Sequence, residues 1–249
     1  MHLIQEVWLS GIVLLGSCLF SMIGLGGGQL YVPIFFWLGL DLKMEAIPAA
    51  LLINFITQLS ATTTYLRARL VEVRTALPFV VMLAFCPLLG AALTRYVSDR
   101  IIIALFAVLL ILVAVRMLVG WKPRERPMAP VTKTLVGLTA GSTIGVVVGM
   151  LGRGGGAFVV PVLLMIGFDP KRAAATSAFV VCFSALSGFL GHLAMAHLGG
   201  YLVSFAVAAI IGSQIGSRFM ARKMQGETLT RIFACVLAAV GLIMLVRVF

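Results

Sequence analysis

The chain has 249 residues, of which 61% are apolar and 11% are charged, and its formal net charge is +11. Soluble domains contain about 45–50% apolar and about 25% charged residues, so this chain has too few polar side chains to cover a surface in water. The composition excludes a soluble, a fibrous and a disordered chain, and it indicates an integral membrane protein.

Charged residues divide the chain into apolar segments. One uncharged run, after Glu6, has 34 residues and another, after Arg172, has 45, whereas a membrane-crossing helix needs about 20. Both runs are therefore expected to fold back, the first at the glycine cluster of residues 24–28 and the second at residues 198–200.

Each half is predicted to contain an apolar helix, a glycine cluster, a short helix and three further spans. In chain order, the elements of the first half are expected at 7–23, 24–28, 29–40, 45–66, 75–95 and 100–119. Those of the second half are expected at 134–151, 152–156, 157–168, 172–197, 201–222 and 229–247. The predicted domains are an N-terminal repeat (1–120), a basic, proline-rich cytoplasmic linker (121–131) and a C-terminal inverted repeat (132–249).

The two halves are copies of each other. A shift of 128 residues places residues 24–50 on residues 152–178 with eleven identities in 27 positions and no gap. The glycine clusters, here called the first tip (Gly24–Gly28) and the second tip (Gly152–Gly156), coincide in this register. Each half makes an odd number of net crossings, so the second copy is inverted. The predicted fold is an all-α multi-pass membrane protein with two inverted-topology repeats, each with a glycine-broken helix pair plus three transmembrane helices.

Basic residues favour one orientation of these repeats. With the linker on the cytoplasmic side, the inner loops hold fourteen of the nineteen basic residues and the outer ends hold four. We expect a multi-pass protein of the cytoplasmic (inner) membrane with both termini outside. This orientation explains the net positive charge, so the bilayer is an expected partner and nucleic acid is not.

The two tips are the predicted substrate site. Inverted repeats with broken helices bind substrate where the breaks meet near the midplane, and glycine backbone N–H groups at helix N-termini favour an anion. In the span that follows, Asn54, Thr57 and Gln58 share one helical face and could present hydrogen-bond groups together to a substrate. Hydrogen bonds between helices would explain these polar residues equally well. The candidate substrate-binding residues are Gly26, Gly27, Gly28, Gln29, Asn54, Thr57, Gln58, Arg153, Gly154, Gly155, Gly156 and Ser177.

Arg153 interrupts the second tip where the first copy has Leu25. A guanidinium at membrane depth costs at least about 2.5–3.5 kcal/mol unless something compensates it. All eight acidic residues fall at predicted ends or loops, so the partner of Arg153 is expected to be an anionic substrate that a planar fork can bind through two oxygens. The alternative is that Arg153 binds carbonyls at a helix end or reaches an interface.

The tips, each followed by Val-Pro at residues 32–33 and 160–161, resemble those of the sulfite exporter TauE/SafE family of membrane permeases. The resemblance extends over nearly the whole chain, including its length, its central basic linker and its repeat. It implies transport of sulfur-containing anions such as sulfite, sulfoacetate or other organosulfonates across a prokaryotic cytoplasmic membrane.

Export is the expected direction, because an interior-negative potential expels an anion with about 2.3 kcal/mol per charge per 100 mV and needs no coupling ion. The main alternative is an anion-selective channel, since glycine-rich tips can also form a filter. An intramembrane enzyme and a purely structural subunit are further alternatives. No catalytic residue, metal site or cofactor is predicted, and a homo-oligomer is compatible with the sequence.

Overall fold

The computed structural model describes residues 3–37, 39–93, 130–151, 156–165, 167–193, 196–197 and 199–246, and also residues 108, 111, 114 and 115. Most of the predicted span at 100–119 lies outside these residues. The same is true of most of the linker and of the second tip up to Gly155.

The described elements are helices. The first half contributes α1 (Leu3–Ile23), α2 (Gly28–Trp37), a π-helical turn (Leu42–Ala46), α3 (Ile47–Arg67) and α4 (Val73–Leu93). The second half contributes α5 (Pro130–Leu151), α6 (Gly156–Met165), α7 (Pro170–His192), α8 (Tyr201–Lys223) and α9 (Gly226–Val246). The bounds of these helices differ from the predicted ones by no more than five residues, and α5 begins at Pro130, inside the range predicted as linker.

The short helices α2 and α6 end in the same way. In α2, Gly39 has φ +90° and donates its N–H to the Phe36 carbonyl at 3.0 Å, while Leu40 donates to Phe35. The equivalent glycine after α6, Gly167, has φ +94° and makes the matching bond to the Leu164 carbonyl at 3.0 Å. Both ends are Schellman motifs, which need glycine because of the left-handed φ.

Four of the described helices are long and apolar enough to cross a membrane. These candidate spans are Glu6–Ile23, Met44–Arg67, Pro170–His192 and Tyr201–Lys223. Their outer faces carry large exposed apolar side chains, including Trp8, Leu15 and Val203. Such a surface is unstable in water and is expected of one that faces lipid.

The helices α1 and α8 run parallel and approach each other closely where α8 carries Gly212 and Gly216. Near the start of the pair, Ser204 of α8 donates a hydrogen bond to the Glu6 carboxylate at 2.9 Å. Further along, Gly212 lies against the backbone of Leu14 and Cys18, and Gly216 lies against Cys18 and Ser21. The contact positions therefore advance in the same direction along both helices, so the two helices are parallel. Glycine allows them to approach closely.

The helices α4 and α5 form a second parallel pair. Gly137 of α5 lies against Pro78 and Phe79, and Gly141, one turn later, lies against Met82 and Phe79. The glycines at 137, 141, 212 and 216 are therefore packing positions, at which a missing side chain lets two helices approach closely.

The central helix α3 fixes the direction of the remaining elements. It runs antiparallel to α7, because Gly188 lies beside Leu51 whereas Thr176 accepts from the Glu72 N–H just beyond α3. It runs parallel to α8, because His197 N–H donates to the Met44 carbonyl at 2.8 Å and further along the Ser213 hydroxyl donates to the Thr57 carbonyl.

The bundle thus has two ends. One, called the Glu6 end, contains Glu6, Met44 and His197. The other, called the Arg67 end, contains Arg67 and an ion pair at 3.0 Å between Glu72 and Arg172 that joins the two halves. Since α1 and α3 both begin at the Glu6 end, the first tip and α2 return the chain to the side from which α1 started.

Candidate functional site

The first tip is a buried turn between α1 and α2. Gly24 has φ +66° and donates its N–H to the Phe20 carbonyl at 2.8 Å, which ends α1. Gly26 has φ +77°, and the chain then enters α2 at Gly28. The left-handed φ at two positions explains why glycine is needed here, since other residues rarely adopt it.

Two side chains from different halves hold this turn. The Asn54 carbonyl oxygen accepts from the Gly27 N–H at 3.1 Å, and the Ser177 hydroxyl donates to the Gly24 carbonyl at 2.7 Å. Both side chains are buried, and Gly26 lies between Asn54 of α3 and Val181 of α7. The sequence predicted Asn54 and Ser177 as site residues, and both contact the first tip.

The tip lies deep within the apolar part of the bundle. Asn54 is near the centre of the candidate span Met44–Arg67. The ten-residue α2 is about 15 Å long, which is half of the roughly 30 Å hydrocarbon core. The N-terminal end of α2 therefore lies about halfway along the bundle, where its positive partial charge is expected to be weakly screened.

The hydroxyl and the backbone carbonyl of Thr57 both have hydrogen-bond partners in neighbouring helices. Its hydroxyl lies 3.0 Å from Ser17, which in turn lies 2.9 Å from the Tyr31 hydroxyl, and Ser213 donates to its carbonyl at 2.6 Å. These bonds tie α1, α2, α3 and α8 together. The helix-to-helix explanation therefore accounts for the Thr57 hydroxyl, although contact with a substrate remains a prediction.

Sequence reasoning missed Tyr31, which is fully buried and packs between the rings of Phe20 and Phe35. A tyrosine within an apolar short helix is itself a signal, because a buried phenol needs a hydrogen-bond partner. Here Ser17 is that partner.

Gln58 differs from the other predicted polar residues. It is 0% exposed, and within the described part of the chain neither its amide nitrogen nor its amide oxygen has a hydrogen-bond partner. One turn further along α3, the buried Thr62 hydroxyl also has none among the described residues.

The remaining predicted residues are only partly described. Gly28 and Gln29 form the first turn of α2, and Gly156 begins α6. Arg153, Gly154 and Gly155 lie outside the described residues. The proximity of the two tips therefore stays a prediction. Among the residues that the structure describes, no three His, Cys, Asp or Glu side chains are grouped as a metal site requires.

Replacing Asn54 with alanine is expected to loosen the first tip. The change removes the acceptor of the buried Gly27 N–H, and an unsatisfied buried donor costs about 1–3 kcal/mol. Thermal unfolding in detergent should show a lower melting temperature. The control is Thr63→Ala on the exposed face of α3, where the hydroxyl bonds only to the Ser60 carbonyl and the change should be nearly neutral. Equal melting temperatures for the two variants would contradict the role of Asn54.

Comparison with known proteins identifies the family. The family model described as "Sulfite exporter TauE/SafE" matches residues 9–244. The chain belongs to the TauE/SafE family. This confirms the resemblance inferred from the two tips, and it makes the protein a multi-pass membrane transporter of that family.

Curated relatives carry compatible names. The probable membrane transporter protein YunE of Bacillus subtilis is 26% identical, over 89% of this chain and 90% of that protein. The probable membrane transporter protein MJ0441 of Methanocaldococcus jannaschii is 24% identical, over 90% of each. The Sulfite exporter TauE/SafE family protein 1 of Arabidopsis thaliana is 38% identical, over 29% of this chain and 16% of that protein. No solved structure matches this TauE/SafE chain significantly.

Proposed function

We propose that this TauE/SafE protein exports small sulfur-containing anions, such as sulfite, sulfoacetate or other organosulfonates, by alternating access around an anion site at mid-depth. The observation that carries the proposal is the first tip, a buried glycine turn that opens the N-terminal end of α2 halfway through the bundle. Backbone N–H groups at such an end bind anions.

The proposal includes two inverted repeats, which the helix directions support. The shift of 128 residues exchanges α1 with α5 and α4 with α8, so it exchanges the parallel pair α1–α8 with the parallel pair α5–α4. It also exchanges α3 with α7, which run antiparallel. Corresponding helices of the two halves therefore point in opposite directions, as repeats related by an axis in the membrane plane require.

The orientation that we propose places the Arg67 end in the cytoplasm. Among the described residues, most of the basic positions lie at this end, and Lys43 lies at the Glu6 end. The basic residues at the Arg67 end are Arg67, Arg69, Arg74, Lys133, Lys171, Arg172, Arg218, Arg222, Lys223 and Arg231. Positive residues accumulate on the cytoplasmic side of bacterial membranes. An interior-negative potential then drives an anion from the Arg67 end to the Glu6 end.

The proposed roles divide between backbone and side chains. The Gly24 and Gly27 N–H groups already donate to Phe20 and Asn54, so the other backbone N–H groups of the tips and the Arg153 guanidinium bind the anionic oxygens. Asn54 and Ser177 hold the first tip in position. The full proposed set is Gly26, Gly27, Gly28, Gln29, Asn54, Thr57, Gln58, Arg153, Gly154, Gly155, Gly156 and Ser177.

The decisive test replaces Arg153 with leucine, its counterpart in the first tip. Counterflow of labelled sulfite and sulfoacetate into proteoliposomes should fall by more than about tenfold, because a charged hydrogen-bond partner of the anion is lost. Arg153→Lys should retain part of the transport, since the charge remains without the planar fork. Counterflow also separates a carrier from a channel, which gives single-channel currents instead.

The control is Arg218→Leu, which removes the same charge from an exposed position near the Arg67 end. We expect it to transport at nearly the wild-type rate. If both arginine variants folded and transported as well as wild type, the anion site at the tips would be disproved.

A further inference from the structure

A strip of polar side chains continues from the first tip along α3 towards the Arg67 end. Asn54, Gln58 and Thr62 follow one another at intervals of four residues, so they lie on one face of the helix. Asn54 begins the strip by bonding Gly27. All three side chains are at least nine-tenths buried, with exposed fractions of 3%, 0% and 5%.

The strip faces the other half of the protein. Asn54 is separated from Val181 of α7 only by Gly26, and the α3 residue Leu51 lies beside Gly188. Ala61, next to Thr62, belongs to the same apolar cluster as Ala174 and Ala178 of α7. Because the side chains of α7 across from the strip are small, the polar groups of α3 are the chemically distinctive part of this interface.

Gln58 lies one turn after Asn54 on α3. Side chains on a helix lean towards its N-terminus, so the Gln58 amide is expected to lean towards the turn that carries Asn54. A neutral amide offers two N–H donors and one carbonyl acceptor, and none of these is satisfied within the described residues. Buried polar groups are nearly always hydrogen-bonded, so an unpartnered amide beside a candidate anion site calls for an explanation.

Gln214, the other glutamine within the four candidate membrane spans, gives the contrast. Gln214 of α8 donates from its amide nitrogen to the Ser60 carbonyl and hydroxyl, both at 2.9 Å, and its carbonyl accepts from Thr64. Gln214 therefore has a structural role that joins α8 to α3. Gln58, four residues before Thr62 on the same α3 helix, has no such bonds among the described residues.

We propose that Gln58 and Thr62 bind the transported oxyanion directly and form the part of its route between the first tip and the Arg67 end. Gln58 donates its amide N–H groups to anionic oxygens at the tip, and the Thr62 hydroxyl provides the next donor one turn away. The inference rests on the proposed function, because it assigns substrate contacts within the same site. It predicts that the specificity for oxyanions over halides depends on Gln58, because a planar amide can donate hydrogen bonds to two oxygens at once.

The experiment compares the wild type with Gln58→Leu, Thr62→Val and the control Gln214→Leu. Sulfite and chloride transport are measured in proteoliposomes over a range of concentrations, and melting temperatures are measured in detergent. Gln58→Leu should raise the KM for sulfite by about ten- to a hundredfold, because a hydrogen bond to an ion is lost. Its melting temperature should not fall, because the side chain it replaces has no hydrogen-bond partner within the part of the chain that the structure describes. Thr62→Val should slow sulfite transport without lowering the melting temperature.

The control behaves in the opposite way under this proposal. Gln214→Leu should lower the melting temperature and leave the KM for sulfite within about twofold of wild type. An unchanged KM in Gln58→Leu, with active wild-type protein, would overturn the inference and remove Gln58 from the proposed set, and it would leave the anion site at the tips and Arg153 intact. A fall in melting temperature of Gln58→Leu matching that of Gln214→Leu would also overturn it, because Gln58 would then be structural. Wild-type protein that moves no oxyanion at all would overturn the proposed function itself.

Discussion

Gly24→Ala is expected to abolish transport by displacing the first tip. Gly24 has φ +66°, and a Cβ atom there would overlap the carbonyl oxygen of Ala174 in α7. The left-handed conformation costs about 1–2 kcal/mol for a residue with a side chain, and overpacking adds about 1–3 kcal/mol. The overlap involves backbone on both sides, so relief requires the tip to move away from α7 and from Ser177.

Gly39→Ala is the matched control for this prediction. Gly39 also has positive φ, +90°, but an added Cβ would meet no heavy atom within 4 Å. This variant carries the conformational strain without the displacement of the tip, so it should transport sulfite while melting somewhat earlier. Transport is measured as efflux from loaded proteoliposomes. Wild-type efflux by Gly24→Ala would show that the tip position is not required.

Gly216→Ala is expected to prevent recovery of folded protein. Gly216 lies against the carbonyl oxygen of Cys18 and the hydroxyl of Ser21, and even one added carbon would overlap both. Helices in lipid associate through close packing of small residues, so separating α1 from α8 removes the contact that stabilises the pair. The same argument applies to Gly212, which lies against Leu14. Size-exclusion chromatography in mild detergent should show aggregate in place of a monodisperse peak.

Gly11→Ala provides the comparison within the same helix pair. Gly11 is an exposed residue of α1, and an added Cβ would meet no heavy atom within 4 Å. The protein should be recovered as well as wild type, and the helix gains up to about 1 kcal/mol in propensity. A monodisperse peak for Gly216→Ala would contradict the tight α1–α8 seam.

The helices and the first tip could be predicted from the sequence because their causes are local. Charged residues bound the spans, and glycine clusters break them near residues 24 and 198. Counting the membrane crossings predicts that the second copy is inverted, and this inversion is part of the proposed function.

Helix pairing could not be read in the same way. The glycines of α8 indicated a packing seam, but no periodic pattern identifies α1 as its partner, because any apolar helix can accept a glycine face. The bond that the Ser213 hydroxyl of α8 donates to the Thr57 carbonyl depends on helix pairing as well. Whether a buried polar residue such as Gln58 is satisfied is likewise a property of three-dimensional neighbours.

The parallel pair α1–α8 has a consequence for biosynthesis. Helix α1 ends at Ile23 and α8 begins at Tyr201, which is synthesised 178 residues later. At a synthesis rate of about 5–20 residues per second, roughly 10–35 s pass between the synthesis of α1 and that of α8, its main partner. During that interval its backbone face at Leu14 and Cys18 has only lipid or insertion machinery as a neighbour. The two halves of the chain thus complete their folding together, after the ribosome has finished most of the protein.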